Sequence, residues 1–135
     1  MTIGELAAKS GISVDTLRYY EKIGVLPRAP RKNNGIRNYG EEFLSWLELV
    51  KMLKASGLSL ENIIKYMELA REGKSTVAAR RELIEGSRRA LINKILALKS
   101  AAAEASYQLS CYETVLLPKT QRLMSIDYHK NQVAV

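Results

Sequence analysis

Groups that bind metals or form covalent links are scarce in this sequence of 135 residues, which contains one cysteine, Cys111, and one histidine, His129. A single cysteine excludes an intramolecular disulfide and any metal site built from several cysteines of one chain. It is more simply a small, half-buried residue than a redox sensor. We expect His129, in the C-terminal tail, to be solvated rather than catalytic. A phosphate-binding glycine loop, a serine elbow and suggestively paired carboxylates are also missing, so we predict no enzyme, no metal and no cofactor.

Long apolar runs are missing too. No stretch approaches the ~20 residues needed to cross a bilayer. The N-terminal segment MTIGELAAKSG is interrupted by Glu5 and Lys9, which is unlike a signal peptide. The simplest expectation is a cytoplasmic protein. Because the chain has only three prolines, one phenylalanine and one tryptophan, alanine and leucine must build most of its core, and this composition favours helices.

Acidic residues are outnumbered, with 14 Asp and Glu against 21 Lys and Arg, giving a formal charge of +7. Such an excess favours a polyanionic partner. It is concentrated between residues 16 and 39, where Glu21 is the only acid. The six basic residues of this stretch are Arg18, Lys22, Arg28, Arg31, Lys32 and Arg37.

Two short helices joined by a tight turn are predicted at the N-terminus. Thr2 and Glu5 have the spacing of a capping box, which satisfies free backbone donors at a helix start. Gly11 suits the end of this first helix, and Ser13 is a good N-cap for the second. A glycine-containing turn this short is typical of a helix-turn-helix.

The second helix has the two faces of a recognition helix, which presents donors to DNA and packs a hydrophobic back against its domain. Its predicted inward face carries Val14, Leu17 and Tyr20. Its exposed positions are Asp15, Thr16, Arg18, Tyr19 and Lys22. Arginine can make two parallel hydrogen bonds to a phosphate or a guanine edge, and a tyrosine hydroxyl can donate to phosphate. Since phosphate would repel the Glu21 carboxylate, we expect Glu21 to hold a neighbouring basic residue. The alternative for the whole face is a solvated basic surface.

The segment that follows is irregular and basic. Pro27 and Pro30 exclude a helix, and the Asn33-Asn34-Gly35 group suits a turn with positive backbone angles. We predict a small β-hairpin, or wing, over residues 28–39, whose cations would follow the DNA backbone in an adjacent groove. Two more helices are predicted over residues 41–55 and 60–71.

The last segment, residues 76–117, contains no proline and one glycine. Its apolar and small residues recur mostly in steps of three and four, which is a heptad seam. The seam comprises Ile84, Leu91, Ile95, Leu98, Ala102, Ala105, Leu109, Tyr112 and Leu116. A helix of ~40 residues would be ~60 Å long, too long to fold back on a small domain. We infer a homodimer joined by a two-stranded coiled coil. One seam does not separate parallel from antiparallel pairing. Residues 118–135 are predicted to be a loosely ordered tail after a DNA-binding domain over residues 1–72.

Two segments, TIGELAAKSGISVDTLRYYEKIGVLP and GIRNYGEEFLSWLELVKMLKASGLSLENI, resemble the N-terminal domain of MerR-family transcriptional regulators. The resemblance implies a mainly α fold, with a winged helix-turn-helix followed by a dimerisation helix that forms an antiparallel coiled coil. It implies a homodimer that binds a palindromic promoter operator and distorts it to control transcription by RNA polymerase. Leu17 and Tyr20 match structural positions of the family. Tyr39 matches its wing tyrosine, for which the resemblance leaves two roles open, packing under the wing and contact with DNA. Including residues argued from charge, the predicted DNA-binding set is Thr16, Arg18, Tyr19, Lys22, Arg31, Arg37 and Tyr39.

The resemblance is weaker for the effector. Metal-sensing members carry cysteines at the start of the dimerisation helix and in a loop after it. Here that start reads KSTVAARRELI and no cysteine follows Cys111, which argues against metal sensing. The segment RKNNGIRNY is similar to short regulators of aldehyde or other electrophile stress, although Met52 stands where that group often has a cysteine. Whether a small molecule is sensed stays open. The alternative function is a basic coiled-coil adaptor that docks an acidic protein surface.

Overall fold

The computed structural model describes residues 1–126, so the predicted solvent exposure of His129 lies outside the described residues. The chain divides into two compact units, Met1–Leu91 and a second that begins at Ile92. The helices are α1 (Ile3–Ser10), α2 (Val14–Ile23), α3 (Glu42–Ala55), α4 (Leu60–Glu72), α5 (Val77–Ser110) and α6 (Leu117–Ser125). The prediction of a mainly helical protein with an N-terminal helix-turn-helix and a long helix after it is confirmed.

The ends of α1 and α2 lie where the capping residues place them. The Glu5 backbone N–H donates to Thr2 Oγ1 at 3.1 Å, and the Thr2 N–H donates to Glu5 Oε2 at 3.3 Å, which completes the capping box. At the start of α2, the Thr16 N–H donates to Ser13 Oγ at 3.2 Å. Gly11 ends α1 with φ +75°, a left-handed conformation that glycine adopts at low cost. The turn between the two helices is therefore fixed by local chemistry.

The core of the first unit is formed by side chains from α1 to α4 and from the loops beside α2. Its fully buried members include Leu6 of α1, Leu17 of α2, Leu47 of α3 and Ile63 of α4. The buried set consists of Leu6, Leu17, Tyr20, Val25, Leu26, Ala29, Tyr39, Phe43, Leu47, Val50, Leu53, Leu58, Ile63 and Met67. Tyr20 lies in this set, as its predicted structural role requires.

The start of α5 packs on the turn between α3 and α4. The Ser87 hydroxyl donates to the Ser56 carbonyl at 2.9 Å. Gly57, in the same turn, has φ +85°, and a Cβ built on it would lie 2.8 Å from Leu91 Cδ1. The first unit therefore includes the part of α5 up to Leu91.

The wing is a turn closed by one antiparallel bridge between Arg31 and Arg37, rather than a hairpin of two strands. The Lys32 N–H donates to the Ile36 carbonyl at 2.8 Å, and the Asn38 N–H donates to the Pro30 carbonyl at 2.8 Å. Two prolines and three asparagines within residues 27–39 disfavour a longer ladder, because proline removes donors and asparagine favours turns. The predicted hairpin is thus corrected to a tight wing loop.

In the second unit the helix does not run unbroken to residue 117. It is interrupted at Cys111, which has φ −118° and ψ 26°, and a π-helical segment, Tyr112–Leu116, leads into α6. The expectation of a loosely ordered tail is wrong for residues 118–125, because they lie in α6. Pro118 occupies the first turn of that helix, where its missing N–H would have no partner in any case.

Two further observations concern the described part of the chain. No helix within residues 1–126 is long and apolar enough to cross a membrane. In the same range, no group of three or more His, Cys, Asp or Glu side chains is arranged to hold a metal ion.

Candidate nucleic-acid interface

The cations of α2 and of the wing meet around one cavity of about 430 Å³. Helix α2 contributes one row of lining side chains, and the wing loop faces it from the other side. The lining residues are Arg18, Glu21, Lys22, Arg28, Ala29, Arg31 and Arg37. Five of these side chains are cationic, so the positive excess seen in the sequence is gathered at one place on the surface. Such a concave cationic site attracts a polyanion.

Helix α2 supplies its share of this surface because its two faces are separated in the sequence. Leu17 is fully buried and Tyr20 is 4% exposed, so this face anchors the helix to the domain. The neighbouring Tyr19 is 49% exposed, and Arg18 and Lys22 are exposed as well. The alternation of one buried and one exposed tyrosine leaves the Tyr19 hydroxyl free to act as an outward donor.

The wing arginines are held by short-range contacts. Arg31 and Arg37 face each other across the single bridge, and Arg31 Nη1 donates to the Gly35 carbonyl at 2.7 Å. Ile36, at the tip between them, is exposed. Because paired residues of a bridge point to the same side, the loop carries two arginines on one side, and arginine is a common partner of nucleic-acid phosphates.

Glu21 connects α2 to the base of the wing. Its Oε1 accepts a hydrogen bond from the Tyr39 hydroxyl. Its Oε2 lies 3.4 Å from Arg37 Nε, within ion-pair distance but without the alignment of a hydrogen bond. The Glu21 side chain is 6% exposed and that of Arg37 is 43% exposed. The prediction that Glu21 holds a neighbouring basic residue is confirmed by this ion pair.

Tyr39 is buried, with 1% of its surface exposed, and its ring meets the Phe43 ring edge-on at 5.1 Å between centroids. Burial, together with the hydrogen bond to Glu21, raises the pKa of Tyr39 to about 12. The side chain therefore stays a neutral donor to the carboxylate. Of the two roles left open for Tyr39, the structure favours packing under the wing. Its inclusion in the DNA-contacting set is thereby corrected, because its hydroxyl is buried and already bonded to Glu21.

The remaining predicted residues divide into two groups. Arg18, Lys22, Arg31 and Arg37 come together around the cavity, whereas Thr16 and Tyr19 lie on α2 outside its lining. Sequence reasoning did not place Glu21 at the cavity. Its position three residues after Arg18 was the available signal, because side chains spaced by three share a helix face.

A helix-turn-helix whose second helix and adjacent loop share one cationic surface is the architecture of a DNA-binding regulator. Residues 1–70 match the sequence profile described as the MerR HTH family regulatory protein. The chain belongs to the MerR family of helix-turn-helix transcriptional regulators. Since this is a family of regulators, the prediction that the chain is not an enzyme is confirmed.

Three similar proteins illustrate the relationship. The HTH-type transcriptional regulator AdhR of Bacillus subtilis is 42% identical over 92 residues, which span 68% of this chain and 66% of AdhR. The crystal structure of a MerR family regulator from Listeria monocytogenes is 36% identical, covering 96% of this chain and 98% of that one, with a TM-score of 0.62. HiNmlR, described as a MerR family regulator lacking the sensor domain and solved bound to promoter DNA, is 34% identical, covering 86% and 92%, with a TM-score of 0.58.

Proposed function

We propose that this regulator binds a two-fold related promoter operator as a homodimer, with α2 of each copy in the major groove and the wing on the flanking backbone. The observation that carries the proposal is the meeting of five cationic side chains from two elements at one cavity. Phosphate neutralisation by such a cluster releases counterions and supplies much of the binding free energy. HiNmlR, to which this chain is similar, was solved bound to promoter DNA, and this supports promoter DNA as the ligand.

Each contact has a separate task in this proposal. Arg18, at the centre of the exposed face of α2, reads a base edge, because a guanidinium can bond two acceptors of guanine at once. Lys22 and the wing arginines Arg31 and Arg37 neutralise phosphates. Tyr19 and Thr16 flank Arg18 and offer hydroxyl groups to the backbone.

The homodimer is supported by the apolar side chains that α5 leaves exposed. None of its residues is buried in the single chain, and Leu98 and Leu109 are 70% and 77% exposed. A row of large exposed aliphatic residues on one helix marks an interaction surface. We propose that the predicted seam residues pair with those of a second copy, and that the pairing is antiparallel, as the resemblance to the MerR family implies.

The consequence for transcription follows from the family resemblance. We propose that the bound dimer distorts the operator and so controls the access of RNA polymerase to the promoter, and that a small-molecule effector can shift this balance. The structural requirement is that both recognition helices are fixed relative to one another by the pairing of their long helices.

The test is a binding titration with DNA selected by the protein from a random-sequence duplex library. We expect enrichment of a site with two inverted half-sites, and an affinity that falls steeply with salt. Lys22→Ala should reduce the slope of log affinity against log salt by about 1, because it removes one phosphate contact. Lys65→Ala removes the same charge from an exposed position on α4 and should leave the slope unchanged. Failure to enrich any duplex would refute the proposal.

A further inference from the structure

Among residues 1–126, the carboxylate of Glu21 is the one anionic group that lines the cationic cavity. It is nearly buried, and its Oε2 makes no hydrogen bond within the described residues. The Nε of Arg37 lies within ion-pair distance of it, at 3.4 Å. A buried carboxylate that lacks its full set of hydrogen bonds is costly, because it has lost its contacts with water and the protein replaces only some of them. If Glu21 served only to fill space in the domain, a neutral side chain of the same shape would be more stabilising.

The same carboxylate also opposes the binding of any DNA. It lies among the groups that meet phosphate, and like charges in a partly desolvated site repel strongly. This repulsion does not depend on base sequence. Glu21 is costly to bury and weakens the attraction of the cavity for every DNA sequence. It can therefore improve operator binding only through a second effect, one that acts on the operator and not on unrelated DNA.

Such an effect is available through Arg37. Glu21 lies on α2, the helix that carries Arg18, while Arg37 lies on the wing. The ion pair at Arg37 Nε draws the guanidinium towards α2, and its terminal nitrogens have no hydrogen-bond partner within residues 1–126. The hydrogen bond from Tyr39 fixes the carboxylate in turn. The wing arginine is thus aimed relative to the recognition helix before DNA arrives, which lowers the ordering cost of binding.

We propose that Glu21 is a specificity-determining positioning residue, which aims Arg37 for the backbone geometry of the operator and reduces the attraction of the cavity for unrelated DNA. The proposal rests on the DNA-binding function proposed above. The repulsion acts on both kinds of DNA, whereas the aimed Arg37 favours the operator alone, so the net effect of Glu21 has opposite signs on the two. The ratio of the affinities for operator and unrelated DNA is therefore the quantity that Glu21 controls.

The test compares Glu21→Gln with wild type on the library-selected duplex and on poly(dI-dC), by fluorescence anisotropy at one salt concentration. Glutamine can still accept from the Tyr39 hydroxyl, so the packing is kept while the charge is lost. We expect operator affinity to fall about tenfold, the effect of misplacing one good contact, while affinity for poly(dI-dC) stays equal or rises. The matched control is Glu68→Gln, which removes the same charge from an exposed position on α4 and should leave the ratio unchanged.

A double-mutant cycle tests whether Glu21 acts through Arg37. In an Arg37→Ala background, Glu21→Gln should no longer lower operator affinity, and the loss of repulsion alone should change the affinities for operator and poly(dI-dC) by the same factor. Equal effects in both backgrounds, or a Glu21→Gln ratio equal to that of wild type, would overturn the inference. If Glu21→Gln does not fold, Tyr39→Phe serves instead, since it frees one carboxylate oxygen of Glu21 without changing any charge. It must lower the ratio of operator affinity to affinity for unrelated DNA, and an unchanged ratio overturns the inference as well. Failure of the proposed function itself is seen separately, since wild type would then enrich no duplex.

Discussion

The contact between α5 and Gly57 leads to a quantitative prediction about stability. A Cβ at position 57 would meet Leu91 Cδ1 at 2.8 Å and Ser87 Oγ at 2.9 Å, and the residue has φ +85°. The left-handed backbone costs a non-glycine residue about 1–2 kcal/mol. Overpacking adds about 1 kcal/mol, the low end of its usual range, because Leu91 Cδ1 and Ser87 Oγ are ends of side chains that can turn away. We therefore expect Gly57→Ala to lower the free energy of unfolding by about 2–3 kcal/mol.

Two other glycines allow the backbone cost and the overpacking cost of Gly57→Ala to be measured separately. Gly11 has φ +75° and nothing within 4 Å of a built Cβ, so Gly11→Ala should cost only the backbone term of about 1–2 kcal/mol. Gly86 lies inside α5, where a Cβ would meet only Arg89 Nη2 at 3.8 Å. Gly86→Ala should therefore stabilise the protein by up to about 1 kcal/mol, since alanine is the better helix former.

The assay is urea unfolding followed by circular dichroism, at one protein concentration for all variants because dimerisation would add to the apparent stability. The expected order of stability is Gly86→Ala above wild type, then Gly11→Ala, then Gly57→Ala. A Gly57→Ala variant no less stable than Gly11→Ala would refute the reasoning, because it would show that α5 does not press against the turn.

Three other predictions concern the site and the seam. Arg18→Ala should weaken operator binding by about 1–3 kcal/mol, measured by anisotropy, and an equal loss on unrelated DNA would show that Arg18 contacts only phosphate. The raised pKa of Tyr39 means that the stabilisation from its neutral form is complete below about pH 10 and is lost as the pH rises through about 12. Tyr39→Phe should abolish that alkaline loss, as measured by the unfolding free energy against pH, and a loss of the same size in both proteins would contradict it. Leu98→Glu should give a monomer in sedimentation velocity, whereas Lys99→Glu, outside the seam, should remain a dimer. A dimeric Leu98→Glu variant would exclude this seam.

Local chemistry was enough to predict most of the first unit from sequence. The capping box at Thr2 and Glu5, the N-cap at Ser13 and the periodic apolar residues of α3 and α4 each specify an element through contacts a few residues apart. The burial of Tyr39 could not be predicted in this way. It lies in an irregular loop with no periodicity. Its environment is built by Glu21, which lies 18 residues earlier in the chain, and by Phe43 of the following helix.

The end of the long helix was misjudged for a different reason. The prediction of a loosely ordered tail after Pro118 neglects that proline is well tolerated in the first turn of a helix, where it stands in α6. The break at Cys111 has no sequence signal, because neither glycine nor proline lies near it. A π-helical turn adds one residue to the local repeat, and such a change is set by packing rather than by residue propensity.

The hydrogen bond between Tyr39 and Glu21 also constrains how this sequence can diverge. Replacing the tyrosine by a residue without a donor strands a buried carboxylate oxygen, at a cost of about 1–3 kcal/mol. Replacing the glutamate by an apolar residue strands the tyrosine hydroxyl instead. Positions 21 and 39 are 18 residues apart, yet each is acceptable only in the presence of the other. In descendants of this chain the two positions are expected to change as a pair, and either single substitution is a less stable intermediate.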